Sequence, residues 1–288
     1  MEKQNKYGSK NWLVLILTLG VFGIINTEMG VVGIIPQIAE TFGVTVPQAG
    51  WTVSVFALIV AVSAPVMPLL FSGMNRRTVM LLALGLFTAS NLISVVTDSF
   101  AVLLVARALP AFLHPVYVSM AFTVAAQSVS PEEAPKAISK VFVGVSAGMV
   151  LGVPVTSFIT SHASFAVAMC FFAAVNAVVL LATLCCVPSL PVRERLSYGA
   201  QLGVLRKPVV WYSVIAFTLI NGAMFGFFSF MSDYLNKVTG FPFDTISALL
   251  LVYGLANIAG NILAGKLFSR NKQRYICLLY TSPSPRDA

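Results

Sequence analysis

The sequence predicts an all-α polytopic membrane protein, and two observations carry that expectation. Of its 288 residues 58% are hydrophobic and only 10% are charged, whereas a water-soluble domain carries about 25% charged residues. Eight apolar stretches also approach or exceed the roughly 20 residues a helix needs to cross a hydrocarbon core. Inside that core each segment must satisfy its own backbone polar groups, which makes the stretches helices.

The spans cover residues 12–35, 48–71, 78–96, 100–126, 138–160, 164–187, 209–235 and 246–268. Span 1 follows a basic N-terminus. It is too long, and lacks the small-residue cleavage site, to be a removable signal peptide. Helix-ending prolines separate the spans: Pro36 and Pro47 after the first, Pro131 after the fourth, and Pro188, Pro191 and Pro208 after the sixth.

The basic residues give these spans a direction. Lys3, Lys6 and Lys10 precede span 1, Arg76 and Arg77 follow span 2, and Lys136 and Lys140 lie between spans 4 and 5. Arg193, Arg195, Arg206 and Lys207 separate spans 6 and 7, while Lys266, Arg270, Lys272 and Arg274 close span 8. All of these lie on one side, and the opposite loops hold only Lys237. The positive-inside rule then places the N-terminus in the cytoplasm.

The basic stretch 188–208 divides a six-helix bundle, 1–187, from a partial second bundle of two helices, 209–276. Tyr275 to Tyr280 begins another apolar run, but residues 281–288 are polar and contain prolines, so 277–288 reads as a non-native tail on a C-terminally truncated chain. The formal charge of +8 is accounted for by this topology and does not point to nucleic acid. Cys170, Cys185, Cys186 and Cys277 show no metal-ligand or disulfide spacing and read as packing residues.

Two ionisable residues lie well inside apolar spans: Glu28 in span 1 and Arg107 in span 4. Charges at membrane depth are costly and default to function. At 1.5 Å per residue both lie ~10 Å below the outer surface, so matched depth predicts a Glu28–Arg107 ion pair. A carboxylate balanced between burial and a cation can exchange a proton, although such a pair can also simply lock two helices. Asn26, His114, Asn221, Phe225 and Phe228 are candidate residues of a mixed polar and aromatic cavity. The competing role for Asn and His is hydrogen bonding between helices. Asn257 and Asn261 are four apart and share one face of span 8.

Span 5 carries Gly144, Gly148 and Gly152 at spacing four, followed by Pro154. This is a groove that lets another helix approach closely, with a proline that favours a hinge or tight crossing. Gly260 to Lys266 mimics the start of a phosphate-binding loop. Leu267 stands where a magnesium-binding hydroxyl is required, so no nucleotide is implied. No hydrolase, zinc-protease or dinucleotide motif occurs, and the only histidines are His114 and His162. The reading is a non-enzyme with no cofactor, no metal and no catalytic residue.

These features resemble the major facilitator superfamily, and within it the drug:proton antiporter and arabinose-efflux-permease-like branch. The resemblance covers residues 10 to 276. It rests on the run from Asn26 to Ala39, Gln48 to Trp51, Arg107 in the helix-4 arginine motif, and Gly144, Gly148, Gly152 and Pro154 of the helix-5 antiporter motif. Thr239 to Phe241 and Gly260–Asn261 are similar to the seventh-to-eighth-helix region. The loop after helix 2 keeps Gly73, Arg76 and Arg77 but lacks the family's aspartate. Its repeat after helix 8 keeps Gly265 and Arg270, with Ser269 at the aspartate position, and Pro115 replaces a glycine.

The resemblance implies a twelve-helix fold of two six-helix bundles, with a cavity lined by helices 1, 4, 7 and 10. This sequence would supply the first bundle and the start of an incomplete second one. The implied activity is proton-coupled efflux of small solutes such as drugs or sugars by alternating access. Its partners would be protons, a small-molecule substrate and membrane lipid, with no nucleic acid, in a monomeric multi-pass protein of a bacterial inner membrane. The alternative is a non-transporting receptor or channel.

Overall fold

The computed structural model describes residues 10–192, 203, 206–241 and 243–270, excluding the side chains at 10–11, 225–233, 236–237, 243–248, 250–251 and 268–270. Among the described residues the secondary structure is helical. The helices are α1 Lys10–Val32, α2 Ile35–Phe42, α3 Val46–Ala49, α4 Trp51–Ser63, α5 Met67–Leu70 and α6 Arg76–Val96. They continue with α7 Phe100–Ala111, α8 His114–Gln127, α9 Ala134–His162, α10 Phe165–Cys186, α11 Pro208–Lys237 and α12 Phe243–Arg270. Six segments among the described residues have the length and hydropathy to cross a membrane, matching spans 1 to 6. Spans 7 and 8 correspond to α11 and α12.

Local chemistry sets the ends. Asn75 caps α6 by accepting from the Arg77 amide at 3.0 Å, and Ser164 caps α10 by accepting from the Val167 amide at 3.3 Å. Gly43 closes α2 at φ 63°, the left-handed conformation that favours glycine. Thr45 and Gln48 form a reciprocal capping box on α3.

Three expected spans differ in detail. Span 1 ends at Val32, where the Gly33 amide turns back to the Gly30 carbonyl, and Pro36 starts the separate α2. The continuous helix expected over 48–71 is interrupted: α4 stops at Ser63 and α5 restarts at Met67. Pro65 lacks an amide proton, so it cannot continue the helical hydrogen-bond ladder beyond Ala64, whose own amide still bonds the Val60 carbonyl at 2.8 Å. Span 4 breaks between Ala111 and His114, flanked by Pro110 and Pro115, with a turn in which the Leu113 amide bonds the Pro110 carbonyl at 3.0 Å. Pro154, by contrast, sits within the unbroken α9.

The chain divides into two compact units, Met1–Pro191 with Asn257–Ala288, and Val192–Ala256. In the first unit α1 is the central element. Two thirds of its apolar window is buried, more than in any other span. It packs chiefly along α9 and also on α10 and α8, while α6 packs along α10 and α7 against α4 and α6. Tyr117, Phe56, Phe87 and Phe172 are among the largest fully buried side chains. Leu58, Val62, Val105, Val178 and Leu181 are more than half exposed, as suits faces that meet lipid. In the second unit, apolar residues of α11 such as Val209, Phe217 and Leu219 are exposed.

Candidate functional site

The site is built where α1 passes the break between α7 and α8. Three consecutive residues of α1 contribute. Asn26 is fully buried. The Thr27 hydroxyl donates to the Gly23 carbonyl at 2.8 Å and accepts from Asn176 Nδ2 of α10 at 2.9 Å. Asn176 Nδ2 also donates to the Phe172 carbonyl at 2.9 Å, so α10 holds this stretch of α1 in register.

Glu28 follows, and its partner departs from expectation. His114 Nε2 lies 3.1 Å from Glu28 Oε2, an ion-pair distance without the alignment of a hydrogen bond. Arg107 instead donates from Nη1 to the Thr27 carbonyl at 3.2 Å. Matched depth brought Glu28 and Arg107 into electrostatic range. The helix break then places His114, the first residue of α8, against the carboxylate.

Phe56 of α4 packs against both Arg107 and His114. The Arg107 guanidinium stands 5.1 Å from the Phe56 ring centroid, and the His114 ring meets that ring edge-on at 5.7 Å and 78°. A cation over an aromatic face is attracted by the ring quadrupole. Among the described residues, Arg107 Nε and Nη2, His114 Nδ1 and both amide atoms of Asn26 make no hydrogen bond to protein. Buried polar groups usually have partners, so the donors that Arg107 and His114 retain are suited to ligand or proton exchange. The Glu28 and His114 side chains keep 21% and 11% exposure, so the pair is not sealed off.

The remaining expected residues lie elsewhere. Asn221, in the second unit, donates to the Phe217 carbonyl of its own helix at 2.9 Å. The side chains of Phe225, Phe228 and Arg270 lie outside the described residues. Gly144, Gly148 and Gly152 face α1: a Cβ on Gly148 would stand 2.9 Å from Ile25 Cβ, and one on Gly152 would stand 3.2 Å from the Gly30 amide. A Cβ on Gly144 would meet the Thr18 carbonyl, and one on Gly265 would overlap the Ser139 side chain. Pro154 lies two residues beyond Gly152 on α9.

Gly73 ends a 3-10 turn, Phe71–Gly73, ahead of Arg76 and Arg77. Arg77 Nη2 donates to the Leu184 carbonyl at 2.5 Å and Arg76 Nη1 to Gln127 Oε1. Sequence reasoning missed Asn75, which donates to Ser189 Oγ at 2.6 Å and accepts from the Leu190 amide at 3.2 Å. A capping asparagine before a helix that opens with two arginines was the available signal. It also missed Phe56, which no pattern separates from other core aromatics, and Asn176, a lone amide in an apolar span.

Comparison with known proteins adds a family signature. The family described as Major Facilitator Superfamily matches residues 17–283. The MFS-type transporter YtbD of Bacillus subtilis (strain 168) is 34% identical over 259 residues, 90% of this chain and 65% of that protein. The inner membrane transport protein YdhP of Escherichia coli (strain K12) is 28% identical over 91% of this chain and 67% of its own length. Among solved structures, the human organic anion transporter MFSD10 superposes with a TM-score of 0.69 over 90% of this chain and 72% of that one, at 18% identity.

Proposed function

The chain belongs to the major facilitator superfamily, and from that premise we propose that it serves proton-coupled efflux of small solutes, such as drugs or sugars, by alternating access. The reading extends to the drug:proton antiporter branch and to a bacterial inner membrane, with the N-terminus in the cytoplasm and a monomeric protein. Its domains would be the bundle 1–187, the loop 188–208 and the partial second bundle 209–276.

The observation that carries this reading is the Glu28–His114 pair beside Arg107, inside membrane-spanning helices. Ionisable groups at this depth are expensive, and those not locked in a full set of bonds mark proton or substrate paths. With a neutral imidazole, Glu28 and Arg107 sum to no net charge. A proton on His114 makes the cluster positive by one. A substrate that needs the Glu28 carboxylate therefore competes with that proton, which is the requirement for exchange. Arg107, tied to the Thr27 carbonyl and Phe56, supplies a charge that stays put.

The test is efflux of a panel of drugs and sugars from cells expressing the protein. Transport of at least one compound is expected to collapse on adding a protonophore, and Glu28→Gln is expected to reduce gradient-driven efflux at least tenfold at unchanged expression. Efflux that continues after the gradient is dissipated, or in Glu28→Gln, would rule out this coupling.

A further inference from the structure

A cleft at one end of the first unit is left unused by the transport site. It lies where the start of α1, the turn after α8 and the start of α9 meet, and it is lined by Val14, Val129, Glu133, Lys136, Ala137 and Lys140. Its floor is apolar: Val14 and Ala137 are buried and Val129 is half-buried. Its rim is charged: Glu133, Lys136 and Lys140 are exposed. Lys136 and Lys140 are four apart and therefore share one face of α9. Glu133 stands at the N-cap of α9, but its side chain makes no capping bond. Among the described residues neither Glu133 nor Lys136 has an ion-pair partner.

The depth of the cleft follows from its neighbours. Trp12 opens the first apolar segment with 64% of its surface exposed, two residues before Val14. Tryptophan settles at the headgroup level of a membrane, where its amphipathic ring meets both lipid and water. The apolar segment of α9 begins at Ala134, so at 1.5 Å per residue Lys136 and Lys140 lie ~3 and ~9 Å inside it. Long flexible stems let both ammoniums reach the headgroup level, and basic pockets between spans at that level take lipid headgroups. Charge then selects the lipid. The rim carries two ammoniums and one carboxylate, an excess of one positive charge. A singly anionic phosphodiester headgroup without an ammonium, as in phosphatidylglycerol, cancels that excess. Its phosphate accepts charge-assisted hydrogen bonds from the two lysines, and its hydroxyls donate to the carboxylate. A zwitterionic headgroup such as phosphatidylethanolamine leaves the excess uncompensated.

We propose that this cleft is a binding site for an anionic phospholipid with a hydroxylated headgroup, in which Lys136 and Lys140 hold the phosphate and Glu133 accepts from a headgroup hydroxyl. Binding of this kind needs neither a transported substrate nor a proton gradient, so it stands or falls apart from proton-coupled efflux. The test titrates the purified full chain in detergent with dioctanoyl phosphatidylglycerol and counts bound lipid by native mass spectrometry. Dioctanoyl phosphatidylethanolamine and glycerophosphoglycerol, the same headgroup without acyl chains, are titrated in parallel. They separate the anionic lipid from a zwitterionic one and from a soluble phosphate ester.

Phosphatidylglycerol is expected to bind at least tenfold more tightly than either comparison ligand, and Lys136→Gln with Lys140→Gln should weaken it at least tenfold. Lys136→Arg with Lys140→Arg keeps the charge and should retain the affinity, which guards against a variant that merely misfolds. Arg206→Gln with Lys207→Gln, the same loss of charge just before α11, should change the affinity less than twofold. Phosphatidylmethanol has the same charge but no headgroup hydroxyl; it should bind more weakly than phosphatidylglycerol, and Glu133→Ala should abolish that difference. Equal affinity for the three titrated ligands, or an equal loss in both glutamine pairs, would mean diffuse attraction to basic surface and overturn the site. So would undiminished binding after Lys136→Gln with Lys140→Gln.

Discussion

Helix α9 meets neighbours on two faces, and the two contacts are made of opposite materials. Toward α1 it presents Gly144, Gly148 and Gly152, and the backbones come so close that a single added carbon on Gly148 would press on Ile25 at 2.9 Å and on the Asn26 amide at 3.1 Å. Toward α12 it presents Ser139 and Ser146, whose hydroxyls hydrogen-bond Asn257 and Asn261. The first contact gains from dispersion between closely packed atoms and has nothing to trade for it when separated. The second has an equivalent partner in water. The two faces of α9 thus differ in kind, close backbone packing on one and side-chain hydrogen bonds on the other.

The largest effect that could break this contrast is on the glycine face. Gly148→Leu forces α1 and α9 apart, and overpacking of this kind costs about 1–3 kcal/mol or more, out of a total near 5–15. The expected outcome is a sharp fall in folded yield and melting temperature in detergent. A normal melting curve would show that the seam is as adaptable as the serine face. Because Asn26 and Glu28 ride on the same stretch of α1, proton-driven efflux should fall with it.

A smaller effect sharpens the other face. Ser146→Ala removes two hydrogen bonds to α12, each worth about 0.6 kcal/mol by membrane-protein averages. Melting should shift by only a few degrees, far less than for Gly148→Leu. A loss as large as the glycine variant's would show that the serine face is as unforgiving as the glycine face. The smallest effect is expected at Tyr117, whose buried hydroxyl has no hydrogen-bond partner among the described residues. Tyr117→Phe removes a group that contributes no bond, so stability should stay within about 1 kcal/mol of the parent or rise slightly. A loss beyond that would reveal a polar tie in what is otherwise an apolar core.

Much of the architecture was legible because a membrane converts hydropathy into helix position. The two costly residues were legible for the same reason: Glu28 and Arg107 stand out against apolar neighbours. Their partners were not. Depth along the membrane normal placed Glu28 and Arg107 at one level, but which side chain faces which depends on the rotation of each helix about its axis. The prolines at 65, 110 and 115 lie inside apolar runs that continue through them, so hydropathy reads those spans as unbroken. Only the structure shows that the break at 112–113 brings His114 to Glu28. The shared face of Asn257 and Asn261 was readable from spacing, whereas Ser139 and Ser146, ordinary residues on a long helix, gave no sign of meeting it.

The sequence by itself determined the all-α membrane class, the approximate course of the spans, and the few places where charge interrupts apolar surface. These follow from transfer free energies, which depend on composition along a segment and need no neighbour. The tertiary structure decided the partners: His114 for Glu28, the Thr27 carbonyl and Phe56 for Arg107, α1 for the glycines of α9 and α12 for its serines. Partner choice depends on helix rotation, crossing and local breaks, which are set by packing among many residues at once.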